Sequence, residues 1–310
     1  MINIYKTIDG KMEEIDVIEK HAWINMVNPT EEELLYIADQ LNVEEDFLRA
    51  ALDEEEISRV EYDEDMNQAL ITIDVPVVDD ASRMMLYDTI PVGIIETHDN
   101  IITVCLQHTN IIDDFVKGRV KHVFTNLKTR FIFQMLYRVA SRFLVYLRHI
   151  NRMSTEIEKE LHRSMKNKEL IQLLDLEKSL VFFSTSLNAN QSVLEKLSRG
   201  RIIKMYDDDE DLVEDVMIEF EQAIEMCNIY SNILTGTMDA FASIISNNLN
   251  IVMKVLTSIT ILMTIPTIIS SIYGMNVTGL PLPNFGFVIA LMAVITVLVA
   301  VILYRRNMFS

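Results

Sequence analysis

Residues 255–304, VLTSITILMTIPTIISSIYGMNVTGLPLPNFGFVIALMAVITVLVAVILY, contain no Asp, Glu, Lys or Arg. As one helix this run would be about 75 Å long at 1.5 Å per residue. The hydrocarbon core of a bilayer is only about 30 Å thick, so the run must turn back on itself. Gly274, Asn276, Gly279, Pro281, Pro283 and Asn284 cluster at the break, residue types that suit turns and interrupt helices. The reading is a first membrane span over 251–273, an outer loop over 274–284 and a second span over 285–304. Both apolar segments reach spanning length, which disfavours a buried soluble hairpin.

Working outward, the charge lies before this run: the chain carries a formal net charge of -19 and is still 50% hydrophobic. An acidic polar body with an apolar tail follows. Lys254 precedes the first span and Arg305 and Arg306 follow the second, while the loop carries no cation. That asymmetry puts both termini in the cytoplasm, in a multi-pass protein of the cell membrane with a short basic tail over 305–310. The opening residues, MINIYKTIDG, lack the apolar region of a signal peptide. Cys105 and Cys227 are too few for a disulfide framework or a zinc site and fit a reducing compartment.

The fold class read from this is an α+β membrane protein. Residues 1–126 read as a cytoplasmic α/β domain: 24–27, 68–78, 83–96 and 100–106 are rich in β-branched residues and expected as strands. Thr30 with Glu33 forms a capping box that opens a helix through Leu41. Residues 127–206 read as long cytoplasmic helices, with heptad-like apolar positions at Phe143, Leu147, Ile150, Ile157 and Leu161; an antiparallel pair is the economical arrangement. From 207 the chain reads as one helix through an acidic stalk (207–250) into the first span. Only Gly236 and Pro266 interrupt it, and a length on the order of 100 Å leaves most of it outside the bilayer.

Polar residues in and before the first span are not scattered. Ser246, Asn250, Met253, Thr257, Thr260, Thr264, Thr267 and Ser271 alternate spacings of four and three, a heptad seam. In lipid such a stripe needs another helix or water, so it is expected to face inward in a bundle, with plain helix packing as the competing account. A two-span chain cannot enclose a pore alone, so a pore requires several copies. Met253, with Leu256 nearby, is the apolar member at the cytoplasmic end, where it either gates by dewetting or packs. Lys254 reads as an interfacial anchor.

From Met205 to Met253 there is no Lys or Arg. The run Asp207 to Asp211 reads as a solvated face. Asp215 and Asp239 lie on helix, where carboxylates of neighbouring copies could share a hard dication. The outer loop offers only neutral oxygens, suited to a hydrated magnesium ion that gives up water reluctantly. A membrane potential supplies roughly 2.3 kcal/mol per charge per 100 mV, about 4.6 kcal/mol for a dication, which makes ATP-driven transport unnecessary. There is no GxxxxGK[ST] run, no metal-spaced His or Cys cluster and no nucleophile-base arrangement. Neither an enzyme nor a nucleic-acid partner is expected.

Tyr273-Gly274-Met275-Asn276, at the end of the first of two C-terminal spans, resembles the hallmark of the CorA magnesium transporter family. The stretch Asn250-Ile251-Val252-Met253-Lys254-Val255-Leu256-Thr257 resembles the family's first span, and Trp23, Pro29, Thr30 and Glu33 echo its N-terminal domain. The resemblance implies a homopentamer in which a long helix continuous with the first span lines the pore. It implies that Gly274, Met275 and Asn276 form the selectivity mouth for hydrated Mg2+. Asn250, Met253 and Leu256 would form the inner constriction, with Asp239 and Ser246 below. It further implies a regulatory Mg2+ site between subunits, pairing Asp215 with Asp79 or Asp80. Two departures stand out: 277–284 has no acidic residue, and Thr264 sits where relatives can carry an apolar one. A relative handling Zn2+, Co2+ or Ni2+, with or without proton coupling, keeps the same architecture. A non-conducting membrane-anchored sensor is the other class, disfavoured by the polar seam.

Overall fold

A computed structural model describes residues 1–79, 86–164, 167–276, 281 and 284–308. Two compact units are present, 1–236 and 237–310.

The first unit is built on a seven-stranded sheet of order β2-β1-β3-β7-β6-β5-β4. Its strands are β1 (Ile2–Ile8), β2 (Lys11–Glu14), β3 (Trp23–Val27), β4 (Arg59–Asp63), β5 (Gln68–Asp79), β6 (Leu86–Glu96) and β7 (Ile101–Cys105). Only β3 and β7 pair in parallel; every other neighbour is antiparallel. Side chains alternate faces along a strand, and β3 shows what that does here. Ile24 and Met26 enter an aliphatic core with Leu34 and Ile37 of α1 (Glu31–Leu41) and Phe47 and Leu48 of α2 (Glu45–Ala50).

Trp23 points to the other face. It is fully buried beside Phe115 of α3 (Asn110–Val116) and Phe131 of α4 (Lys128–Ser164), ring centroids 6.1 and 5.2 Å away. Its indole Nε1 donates to Thr103 Oγ1 at 2.9 Å, and that hydroxyl donates to Asn25 Oδ1 at 2.9 Å. The polar tip of the tryptophan is therefore satisfied inside the core, as burial requires.

The capping box at α1 is present: Glu33 N donates to Thr30 Oγ1 at 3.3 Å, and Thr30 N donates to Glu33 Oε2 at 2.9 Å. Helix α4 pairs with α5 (Asn167–Ser198), Phe143 meeting Phe183 edge-on at 4.9 Å. Thr129, at the start of α4, donates to the carbonyl of Lys204 just past α5 at 2.8 Å. Contacts that join early α4 to late α5 make the pair antiparallel. A buried polar knot ties α5 to the sheet. Asn190 is fully buried, donates to Asp74 O at 2.7 Å and accepts from Asp74 N at 2.9 Å.

Helix α6 (Glu210–Tyr273) is 64 residues long, about 95 Å at helical rise, and runs from the first unit into the second. Within the first unit Val213, Val216, Phe220, Ala223, Cys227 and Leu234 are buried. Their three-and-four spacing marks one apolar face. Ser141 of α4 donates to Glu219 at 2.9 Å, and Cys227 Sγ lies 3.3 Å from Leu180 O of α5. Burial pushes the Cys105 and Cys227 thiols up to about 12, so both stay protonated and inert at neutral pH.

The second unit holds the end of α6 and α7 (Phe285–Arg305). The spanning windows of the two helices have mean hydropathies of 1.9 and 3.0. The 21 residues of α7 reach about 31 Å, one bilayer core.

Candidate ion path on α6

Within the second unit α6 has two unlike faces. Val255, Ser258, Leu262, Ile265, Ile269 and Tyr273 are buried or half-buried, again at spacings of three and four. Helix α7, the other helix of this unit, carries a half-buried stripe of its own at Val288, Met292, Thr296, Val299 and Leu303. Ser258 is fully buried; its Oγ lies 2.8 Å from Lys254 O and 3.1 Å from Met308 O, joining α6 to the segment after α7.

Every member of the polar seam is exposed: Ser246, Asn250, Met253, Thr257, Thr260, Thr264, Thr267 and Ser271. At about 3.6 residues per turn this seam lies on the side of the helix roughly opposite the buried stripe. Asp239, seven positions before Ser246, shares its register and is also exposed. Leu256, 56% exposed, flanks the seam beside Met253, 51% exposed.

Three seam threonines carry their own hydroxyl protons back to the helix. Thr260 donates to Leu256 O at 2.8 Å, Thr264 to Thr260 O at 2.7 Å and Thr267 to Met263 O at 3.0 Å. Once its proton is committed, each hydroxyl turns acceptor lone pairs outward. A row of neutral acceptors is what a cation's water shell can donate to.

At the top of α6, Gly274 N donates to Ser270 O at 2.9 Å and Met275 N to Ile272 O at 3.4 Å. A Cβ on Gly274 would sit 3.1 Å from the Ser270 carbonyl, so glycine lets the chain wind tightly over the helix end. Tyr273 donates from its hydroxyl to Pro281 O at 3.0 Å, tethering the loop to the helix. Gly274, Met275 and Asn276 are all exposed above that tether. The tether and the buried stripe were not anticipated from the sequence. The stripe was detectable as a second three-and-four series on the same helix.

Asp215 is exposed on α6, within the first unit. It is 24 positions before Asp239, about a third of a turn out of the seam's register. The side chain of Asp79 and the whole of Asp80 lie outside the described residues. Among the described residues no group of three or more His, Cys, Asp or Glu gathers to hold a metal. An exposed carboxylate such as Asp215 has the hard oxygen a magnesium or calcium ion accepts, and needs further ligands from elsewhere.

An α/β body carrying a helix that enters an apolar two-helix hairpin, with an exposed polar face below a neutral Gly-Met-Asn turn, has the layout of a two-span membrane protein. The chain belongs to the family described as CorA-like Mg2+ transporter protein, whose model matches residues 19–305. The resemblance carried by Tyr273-Gly274-Met275-Asn276 is thereby borne out. The cobalt/magnesium transport protein CorA of Methanocaldococcus jannaschii is 30% identical over 314 residues, covering 97% of this chain and 95% of the relative. The complete structure of the CorA magnesium transporter from that organism superposes with a TM-score of 0.86 at 28% identity, covering 99% of this chain and 98% of the other. The full-length CmaX protein shares the fold at a TM-score of 0.71 and 14% identity, covering 98% of this chain and 97% of the other. The CorA relatives are transporters rather than enzymes.

Proposed function

We propose that this chain assembles as a homopentamer in the cell membrane and conducts hydrated Mg2+ inward down the membrane potential. The carrying observation is the division of α6: its apolar stripe is buried or half-buried within its own chain, while among the described residues every member of the polar seam is left exposed. Exposed to lipid, that seam would be costly, and several copies around an axis give it water instead. In this reading 1–126 and 127–206 form the cytoplasmic body, 207–250 the stalk, and both termini stay inside.

Gly274, Met275 and Asn276 form the mouth, where the Asn276 amide and backbone carbonyls bind the ion through its water. Below it Ser271, Thr267, Thr264, Thr260 and Thr257 offer neutral acceptors to the water shell. Asn250, Met253 and Leu256 form the inner constriction, with Ser246 beneath them. Asp239 then draws the ion out electrostatically. Asp215 with Asp79 or Asp80 of a neighbouring copy holds regulatory Mg2+ that keeps the assembly closed. When internal Mg2+ falls, repulsion between the bare carboxylates loosens it.

The test is Mg2+ uptake by proteoliposomes under an imposed inside-negative potential. Asn276→Ala should lower uptake at least tenfold while leaving the oligomer intact; unchanged uptake removes the mouth assignment. Asp215→Ala should relieve closure by internal Mg2+, and equal sensitivity in parent and variant would count against the regulatory site. Co2+ is the second ion to assay, because the curated M. jannaschii relative is named for cobalt as well as magnesium. Zn2+ and Ni2+, with and without a pH gradient, complete the comparison.

A further inference from the structure

The first unit contains a cavity of about 570 Å³, well away in sequence from the spans. It is bounded by the β4–β5 turn, the β6–β7 turn, the start of α4 and the 200–209 link between α5 and α6. Small-molecule sites commonly measure about 300–1,000 Å³, so this one has room for a ligand of nucleotide size.

Its charge runs against that of the protein. In a chain of net charge -19, residues 115–155 carry nine Lys or Arg and no Asp or Glu. Two of these cations, Lys128 and Arg130, line the cavity and build its wall. Lys128 Nζ lies 3.0 Å from Glu96 and donates to the carbonyls of Thr97 and His98 at 2.6 and 3.1 Å. Arg130 pairs with Asp209 at 2.7 Å and donates to Asp208 O at 2.7 Å. These bonds neutralise Glu96 and Asp209 and hold the 200–209 link against α4.

The link, which Gly200 opens at φ +66°, brings two further cations to the same cavity, Arg201 and Lys204. Both are exposed, and among the described residues neither is in an ion pair. Lys204 Nζ lies 4.9 Å from the ring centre of Tyr206, which also lines the cavity. Among the described residues, one lining acid, Asp208, is in no ion pair and stands against these two cations.

The start of α4 adds to the positive field. Phe131 N is bonded to Leu127 O at 2.9 Å, so the amides of Lys128, Thr129 and Arg130 have no partner within the helix. Leu127 has no side-chain oxygen with which to cap them, and the first turn of this 37-residue helix has no acidic residue. A negative group normally stabilises such an end.

We propose that this cavity binds a nucleotide, an aromatic base carrying phosphate. Arg201 and Lys204 neutralise the phosphates beside the first amides of α4, and the ring of Tyr206 stacks on the base. The site does not touch the ion path, so the proposal stands or falls apart from it.

The test is calorimetric titration of the full-length protein in detergent, in EDTA so that no exchange of magnesium contributes heat. The probes are ADP, adenosine and inorganic phosphate. Saturable ADP binding is expected, at least tenfold tighter than phosphate or adenosine alone. The double variant Arg201→Glu, Lys204→Glu should weaken ADP at least tenfold, and Tyr206→Ala should weaken it several-fold while leaving phosphate unchanged. All three positions are exposed, and an unchanged elution volume and circular dichroism spectrum show that the variants fold. Absence of saturable ADP binding, equal affinity in the double variant, or phosphate binding as tightly as ADP overturns the proposal.

Discussion

Replacing Tyr273 with Phe deletes one oxygen and leaves the half-buried ring at the last residue of α6. What is lost is the bond from the tyrosine hydroxyl to Pro281 O, 3.0 Å long and at the exposed end of the helix. A neutral hydrogen bond of this kind contributes about 0.5–1.5 kcal/mol net, because water replaces it when it breaks. At about 1.4 kcal/mol per factor of ten, a loss of about 1 kcal/mol shifts the ratio of tethered to untethered loop about fivefold. If conduction needs the tethered loop to hold Gly274, Met275 and Asn276 over the pore, initial Mg2+ uptake in proteoliposomes should fall by up to about fivefold. The unfolding midpoint in detergent should scarcely move. Tyr273→Ala, which also removes the half-buried ring, should fall further and lose stability. Wild-type uptake by Tyr273→Phe across the whole range of Mg2+ would refute the tether. A loss beyond about a hundredfold without unfolding would refute the magnitude, since no single neutral bond of this kind is worth so much.

Other expectations are local. Thr30→Ala removes the acceptor of Glu33 N and should cost about 1 kcal/mol of stability, read from chemical unfolding, with Thr30→Ser restoring most of it. Met253→Ser should make the inner constriction wettable and raise Mg2+ leak several-fold under conditions that close the parent; unchanged leak removes Met253 from the gate. Asp74 is half-buried against α5, and desolvation raises its carboxyl above the ordinary range, partly offset by hydrogen bonds from Ser186 and Ser58. A raised acid in the folded state contributes stability that is complete below the unfolded value and is lost as pH rises through the folded one. Asp74→Asn should therefore unfold at a higher temperature than the parent at pH 8, with the difference shrinking toward pH 4.5; a constant difference would contradict this.

Much of the architecture was legible because it rests on local signals. The uncharged run fixes two spans by length alone, and α6 ends at Tyr273 while α7 begins at Phe285, where the Gly-Pro-Asn cluster separates them. The Thr30–Glu33 spacing marks the start of α1, since both halves of that cap are within one turn. Less visible were β1, β2 and β4, the short helices α2 and α3, and the parallel β3–β7 pairing. Ile2–Ile8 mixes polar and apolar residues without a clean alternation, and its pairing with β3 is long-range. The cavity beside α4 was equally hidden. Its walls come from four segments spread between Tyr62 and Asp209, and no local pattern joins them.

For the candidate path the division is sharper. The spacing of Ser246 through Ser271 by itself determined that these residues share one face, because helical periodicity is a property of the chain. It also determined the family, through Tyr273-Gly274-Met275-Asn276 in front of a final span. Only the tertiary structure decided which face of α6 its own chain covers. Burial depends on where α7 returns, which no local pattern in the chain specifies. Ser258 illustrates the difference: in sequence it is one more small polar residue, a single position after Thr257. In the fold it is fully buried and bonded toward the chain beyond α7, while Thr257 stays exposed. One position, about 100° around the helix, separates a residue that locks the hairpin from one left for water or another copy.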